Sequence, residues 1–477
     1  MSTAVPLARL EQIIDRSQAA GRIEALLPVG VRRRQLSRVH QALTSLPETE
    51  RIRLGVVAGW KHGPHVLTYR QVERTFHLVV CALEKEHPDG APSAVLAATL
   101  DALLEASIPP GQKNTTRALA VDWSDLETFS CPPPAKGGDC ADPEASWGHR
   151  RGNSPGQKDE LFYGYYISAA TIVREENGPA VPELARRMTL TSCHLDPAPA
   201  MVPVLECLPG SGVPLGDILD DSGYAHRAPE NWAVPLRAAG ARLIQDLHPH
   251  DRGPKGTYAG ATISNGNLYC PATPRSLLEL GPLARNATPE EVTAHDQQTA
   301  ETARYKLGKI TADDNDGYHR VMCPAVLGKL RCPLRPDSMT LDYQRPHILA
   351  PPEHPPPCCT QQTITVPPEV HAKTAQKHDY PSQSHRRSYA RRSAAERTFS
   401  TAKDPASNDI SRGWCRLMGL TPIALLAASM LIVRNQRILS AWDTRQADND
   451  QRAAAGLPPK TRRRRRKTLA SLAATPP

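Results

Sequence analysis

Several things are missing from this 477-residue chain. Its first residues, MSTAVPLARLEQIIDRSQ, hold no basic start followed by an apolar core, so no export signal is expected there. The longest apolar run, Leu420 to Val433, is about fourteen residues, contains Pro422 and is too short to span a bilayer. It reads as a buried helix, and no membrane partner is expected. No tandem repeat recurs. There is no nucleotide-binding Walker loop, no HExxH helix and no CxxC pair, which removes support from several common enzyme classes. The 11 cysteines are odd in number and scattered. Without an export signal they suit a reduced, cytoplasmic protein.

What is present leans basic. Lys and Arg number 58 against 49 Asp and Glu, a formal charge of +9, which weakly favours a polyanionic partner. Hydrophobic residues make up 40%, enough for two or three cored domains, and 46 prolines announce long irregular connections.

Residues 1–107 read as helical. IEALLPVGVRRRQLSRVHQAL, LTYRQVERTFHLVVCALEK and PSAVLAATLDALLEASI carry apolar residues at helical spacing, the second opening with Thr68 as N-cap. Arg32, Arg33, Arg34 and Arg38 cluster beside one of these helices. That suits a helical DNA-binding module, with a small helical scaffold as the plain alternative. Residues 108–117, including PPGQKNTTR, read as a linker.

The periodicity then changes. Over 118–250 the expected order is strand (RALAVDWSDLETF), a long loop from Cys131 to Lys158, strand (LFYGYYISAATIV), strand (RRMTLTSCHL), helix (PAMVPVLECL), strand (GDILDDSGY), helix (Trp232 to Ala239) and strand (ARLIQDLH). Three strands in an antiparallel meander followed by two parallel crossovers give a mixed five-stranded α/β sheet. Residues 251–383 are rich in Pro and Gly, with short β-like pieces (TYAGATISNGNLYC, YHRVMCPA), and read as a β-rich insertion. Residues 384–445 return to helix, with an apolar helix from Leu417 to about Ser440. Residues 446–477 read as a flexible basic tail, in which Arg462 to Arg466 suit nonspecific phosphate binding.

Acids close two of the expected strands. Asp122 follows ALAV, and Asp220 and Asp221 follow DIL, at the carboxyl ends where α/β sheets expose ligand sites. Alternation points Asp220 and Asp221 to opposite faces. A third acid lies in SYARRSAAERTFSTAK. At about 100° per residue, Tyr389, Arg392, Glu396 and Lys403 fall within roughly 60° on one helix face. The bland reading of that stripe is a solvated face with an ion pair. If Asp122, Asp221 and Glu396 converge, they make a hard oxygen site for Mg²⁺ or Mn²⁺, and two such ions can clamp the oxygens of a phosphoryl displacement.

These residues carry a resemblance. The chain resembles the DDE transposases of bacterial insertion sequences, in the branch whose glutamate lies in Y-x2-R-x3-E-x6-K; Tyr389, Arg392, Glu396 and Lys403 match every position. DSGY is similar to the D-x-G-Y context of the family's second aspartate, and LAVDWS to that of its first. DPEA (Asp142 to Ala145) and FYGYY also look like the family. The resemblance covers about residues 118–445. It implies a ribonuclease-H-like core interrupted by an insertion, with Asp122, Asp221 and Glu396 as catalytic metal ligands. Tyr389 and Arg392 would contact phosphate at the cut end, and Lys403 neighbouring DNA backbone, roles that suit a bidentate guanidinium and a point charge. Many relatives carry an acid or small polar residue where this chain has Trp123, so Asp125 stays a rival first ligand. Asp220 stays a rival second.

In the insertion, Cys270, Cys323 and Cys332 each precede a proline, and Cys358 and Cys359 follow. Four of these, Cys270, Cys323, Cys332 and Cys358, can be drawn as a structural Zn²⁺ site. Buried free cysteines are the competing reading.

The leading expectation is therefore a transposase. It would bind element ends and target as double-stranded DNA, act as a homodimer or higher oligomer, and sit in the cytoplasm on the nucleoid. A non-catalytic DNA-binding descendant and a simple nuclease sharing the core are the alternatives.

Overall fold

The computed structural model describes residues 36–460 apart from 54–56, 59–64, 67, 85–88, 135–137, 151–157, 211, 213, 285, 315 and 405–414. Arg32 to Arg34 and Arg462 to Arg466 lie outside the described residues, as does the side chain of Arg38.

The N-terminal part contains helices α1 (Leu36–Ser45), α2 (Tyr69–Leu83) and α3 (Ala94–Ala106). Thr68 caps α2 through a reciprocal capping box with Gln71, and Ser93 caps α3. This part is not purely helical, because Val57–Ala58 pairs antiparallel with His65–Val66. Two-residue strands carry too little alternation to be seen in a sequence.

The central sheet has six strands rather than five. They are β1 (Ala118–Glu127), β2 (Ser146–Arg150), β3 (Glu160–Val173), β4 (Ala185–Ser192), β5 (Asp217–Asp220) and β6 (Arg242–Gln245). The unexpected strand is β2, inside the stretch read as loop. It pairs with the first five residues of β3, and β4 takes over the same long strand from Tyr165 onward. A fourteen-residue β3 outruns any single partner, so a second short strand completes its ladder. Along the main path the order is β2-β3-β1-β5-β6. β1 is antiparallel to β3 and parallel to β5, and β5 is parallel to β6. The sheet is therefore mixed, as expected from the meander and the two crossovers. Those crossovers carry α4 (Pro197–Gly210) and α5 (Ala233–Ala238).

Alternation divides β1 between two cores. Leu119 and Val121 join Ile218, Leu243, Leu205, Leu236 and Trp232 on the face covered by α4 and α5. Ala118 and Ala120 join Leu219, Ile244, Ala394 and Ala395 on the other face. Further along that second face, Leu126, Tyr165 and Met188 pack with Leu96, Leu100 and Leu104 of α3 and with Ile423, Ala427 and Leu431.

The segment after β6 builds two small three-stranded sheets. One holds β7 (Pro254–Tyr258), β8 (Ala261–Ser264) and β9 (Asn267–Tyr269). After α6 (Pro289–Tyr305), the other holds β10 (Gly308–Lys309), β11 (His319–Met322) and β12 (Thr363–Val366).

The chain returns through α7 (Gln383–Tyr389), a 3₁₀ turn over Ala390–Arg392, and α8 (Ser393–Lys403). The single helix expected for SYARRSAAERTFSTAK is thus interrupted by a tighter turn. Arg391 supplies a physical reason. Its Nε donates to the Ser388 carbonyl at 3.0 Å, an acceptor that a regular helix gives to a backbone N–H, while Nη2 pairs with buried Asp217 at 2.8 Å. The last helix, α9 (Leu420–Ala454), runs well past the expected end near Ser440 and through the first residues of the expected tail. Among the described helices it is the one long and apolar enough to cross a membrane by length and composition. Its apolar half lies against the sheet and α3. Buried Asn435 accepts from the Ala185 N–H and donates to the Ala185 carbonyl, both at 2.7 Å, which satisfies the end of β4.

Candidate functional site

Register brings the two aspartates together. β1 and β5 pair Leu119 with Ile218 and Ala120 with Leu219, so the strands deliver Asp122 and Asp221 to adjacent positions at their carboxyl ends. β5 ends at Asp220. Asp221 then caps the helical turn Ser222–Ala225, its Oδ1 accepting the Gly223 N–H at 2.9 Å. A Cβ on Gly223 would meet the Trp123 ring at 2.4 Å. Trp123 therefore fits this site: it fills the space that Gly223 leaves and packs edge-on against Tyr224 at 4.4 Å, and Tyr224 packs in turn against Trp232.

Asp220 points the other way. It is fully buried and accepts from Trp232 Nε1 at 3.0 Å and Gln245 Nε2 at 3.0 and 3.2 Å. Burial pushes its carboxyl well above the usual range, against the pull of those two donors. It ties β5 to β6 and α5. Asp125 is also placed elsewhere. It is held by Arg150 at 2.7 and 3.0 Å and by Lys403 at 2.7 Å. Burial raises it, but Lys403 and Arg150 outweigh burial and keep it below its ordinary value.

Arg392 sits among the three acids. Its Nη2 lies 3.2 Å from Asp122 Oδ2 and 3.3 Å from Asp221 Oδ2, and its Nη1 donates to Glu396 Oε1 at 2.7 Å. The guanidinium is buried, whereas the Glu396 side chain is 61% exposed. Burial works against the Arg392 charge, yet Asp122, Tyr389, Asp221 and Glu396 together push its pKa up. Asp122 is raised to about 7, first by burial and then by Asp221 and Glu396, against the lowering pull of Arg392 and the Trp123 N–H. Three carboxylates facing one guanidinium leave negative charge to be balanced. The donors are all oxygens, so the set fits a hard divalent cation such as Mg²⁺ or Mn²⁺.

The rest of the helix stripe is divided. Tyr389 turns inward, stacking on His385 with centroids 5.6 Å apart, and burial raises its phenol pKa. Lys403 reaches Asp125, not the acid cluster. Glu396 approaches Arg392 first, which is the ion pair of the bland reading, but here that pair is extended to Asp122 and Asp221.

Of the supporting residues, Asp217 was not singled out in the sequence, whereas DPEA and FYGYY were. Asp217 is fully buried at the start of β5 and pairs with Arg391, with Lys377 at 2.9 Å and with Arg242 at 2.8 Å. It locks the turn before Arg392 to the sheet. DPEA and FYGYY meet in space: Asp142 accepts from Tyr165 and Thr128, each at 2.6 Å, and Glu144 accepts the Leu420 N–H at 2.7 Å. A sequence signal did exist for Asp142, namely an acid in a Pro-containing loop near a Tyr-rich strand.

The proposed zinc cysteines are all buried, as is Cys359, while the other six cysteines are exposed or partly so. Cys358 and Cys359 bring their sulfurs to 3.9 Å. Among the described residues, no three of these thiols converge to mutual distances of 4.8 Å; the set that does is His226, His248 and Asp251. Cys323 and Cys332 belong to one apolar cluster, and Cys358 and Cys359 to a neighbouring one, where they pack among apolar side chains.

Comparison of the chain with protein-family models, with curated proteins and with solved structures gave no match.

Proposed function

We propose that the chain is a DDE transposase with a ribonuclease-H-like core, cutting and joining DNA at Asp122, Asp221 and Glu396. The observation that carries this reading is the register of β1 and β5, with Asp122 and Asp221 side by side and Arg392 bridging them to Glu396. The sheet order, with a four-strand antiparallel part and two parallel crossovers, supports the same reading.

In this reading Asp122, Asp221 and Glu396 hold two Mg²⁺ or Mn²⁺ ions. Bound there, the ions would supply an activated water or 3′ hydroxyl and stabilise the leaving oxygen. Arg392 is the permanent counter-charge of the cluster, and its planar donor fork suits a DNA phosphate brought to the same place. The Gly223–Trp123 contact fixes the turn that carries Asp221. Asp217 fixes Arg391 and so the start of α8. Lys403 and Arg150, which share Asp125 on the flank, offer cations to the neighbouring backbone. Tyr389 acts by positioning, through its stack on His385. The ends of the element and its target are double-stranded DNA, bound by a dimer or larger assembly.

DNA carrying the gene's own flanks, incubated with purified protein and Mg²⁺ or Mn²⁺, tests the reading. Breaks at discrete flanking repeats, lost in Glu396→Gln with end binding kept, are the expected result. Binding without breaks would favour a non-catalytic DNA-binding protein. Cutting without end specificity or joining would favour a simple nuclease.

A further inference from the structure

We propose that His226, His248 and Asp251 form a second metal site. It would take a borderline transition ion such as Zn²⁺ and clamp the turn carrying Asp221 to the root of the segment 251–383.

Three stretches of chain meet there. His226 is the C-cap of the turn that Asp221 opens, five residues along. His248 caps the 3₁₀ turn Pro249–Asp251, just after β6, where the chain leaves the central sheet. Lys373, from the returning chain, pairs with Asp251 at 2.9 and 2.8 Å.

The donor geometry is close to what an ion needs. The ligand atoms of His226, His248 and Asp251 all lie within 4.8 Å of one another. Four donors at about 2.1 Å from a tetrahedral ion stand roughly 3.4 Å apart. His226 Nδ1 is already 3.6 Å from Asp251 Oδ2. That oxygen is buried and already faces one cation, Lys373 Nζ at 2.8 Å. The His226 side chain is 46% exposed and has room to complete the approach.

The rings are packed in a way that an ion would explain. His226 and His248 have centroids only 4.0 Å apart, and His250 stacks on His248 at 5.0 Å. Two imidazoles and one carboxylate select a borderline metal. The all-oxygen set at Asp122, Asp221 and Glu396 selects a hard one. The two sites therefore divide the metals by chemistry.

Cobalt is the probe that separates the candidates. The full chain, saturated with Mg²⁺ to occupy the carboxylate set, is titrated with Co²⁺ and followed by visible and near-ultraviolet absorption. About one Co²⁺ per chain should bind, with ligand-field bands and no thiolate charge-transfer band. His226→Ala, at an exposed position, and Asp251→Asn should each weaken Co²⁺ by more than about tenfold. Glu396→Gln should leave Co²⁺ binding unchanged, so the result stands or falls apart from any DNA-cleavage activity. An intense thiolate band would move the ion to the buried cysteines and overturn the assignment. Full binding in both variants, or no Co²⁺ bound at all, would overturn it as well.

Discussion

The central sheet and the segment 251–383 are stabilised by different means. The sheet is covered on both faces by helices and buries aliphatic side chains in long layers, from Leu96 and Leu100 through Tyr165 to Leu431. The inserted segment has two small sheets and thin cores, in which Cys358, Cys359, Ile364 and Val366 stand where the central sheet has leucines. The difference is one of reach. A long strand between two helical layers removes apolar surface on both sides, whereas a four-residue strand such as β12 buries alternate residues only. What joins the two regions is polar. Lys377 pairs with Asp217, the Gln245 N–H donates to Gln376 Oε1, and Arg237 donates to the Ala372 and Ala375 carbonyls.

The strongest way to break this contrast is at the polar joint. Asp217→Asn removes one charge that three cations share, leaving Arg391 buried without its partner. A loss of about 3–5 kcal/mol is expected in denaturant unfolding. Loosening of α8 should accompany it, read by hydrogen exchange.

Next in size is the layered core. Leu431→Ala should cost about 4 kcal/mol, because a fully covered cavity between α9 and the sheet has little freedom to collapse. The main thermal transition should move down.

Acid acts at the junction between the regions. Burial holds His385 at about 4, and its Nε2 is bonded to the Gln245 carbonyl at 2.9 Å. Burial also holds His371, on the returning chain, at about 4. The ordinary imidazole value is about 6.5, so the folded values are depressed. The stability these residues confer is present above pH 6.5 and is lost as pH falls toward 4. For His385 the full loss is about 3 kcal/mol, measurable as a falling denaturation midpoint between pH 6.5 and 4. His385→Gln should flatten part of that slope.

The smallest effect belongs to the thin core. Ile364→Ala should cost about 2 kcal/mol, at the low end for such a change, because the small sheet can close around the space. Limited proteolysis should then cut within 251–383 before the central sheet is attacked. Equal protection of both regions would remove the distinction between them.

Much of the central sheet was legible because its physics is local. ALAV, ISAATIV and MTLT are apolar runs of strand length, and the helices between them have helical spacing. Asp122 and Asp221 could be singled out because each closes such a run. β2 was hidden because SWGHR, within its Pro- and Gly-rich surroundings, becomes a strand only by pairing with the overlong β3. The interruption of the α7–α8 helix was hidden because it depends on Arg391 finding Asp217, 174 residues earlier. The buried cysteines are a different case: whether Cys270, Cys323, Cys332 and Cys358 bring their sulfurs to one point depends on how the inserted segment packs, which their spacing along the chain does not carry.

By itself the sequence determined five of the six strands of the central sheet and the two helices between them, the mixed sense of their pairing, and the two alternation faces that send Asp220 one way and Asp221 the other. These follow from side-chain periodicity, a property of neighbouring residues. The tertiary structure alone decided that Arg392 stands among Asp122, Asp221 and Glu396, that Lys403 turns to Asp125 and Tyr389 to His385, and that three histidines gather beside Asp251. Each depends on charges and rings brought together from distant parts of the chain, whose proximity is set by packed layers and not by any local preference.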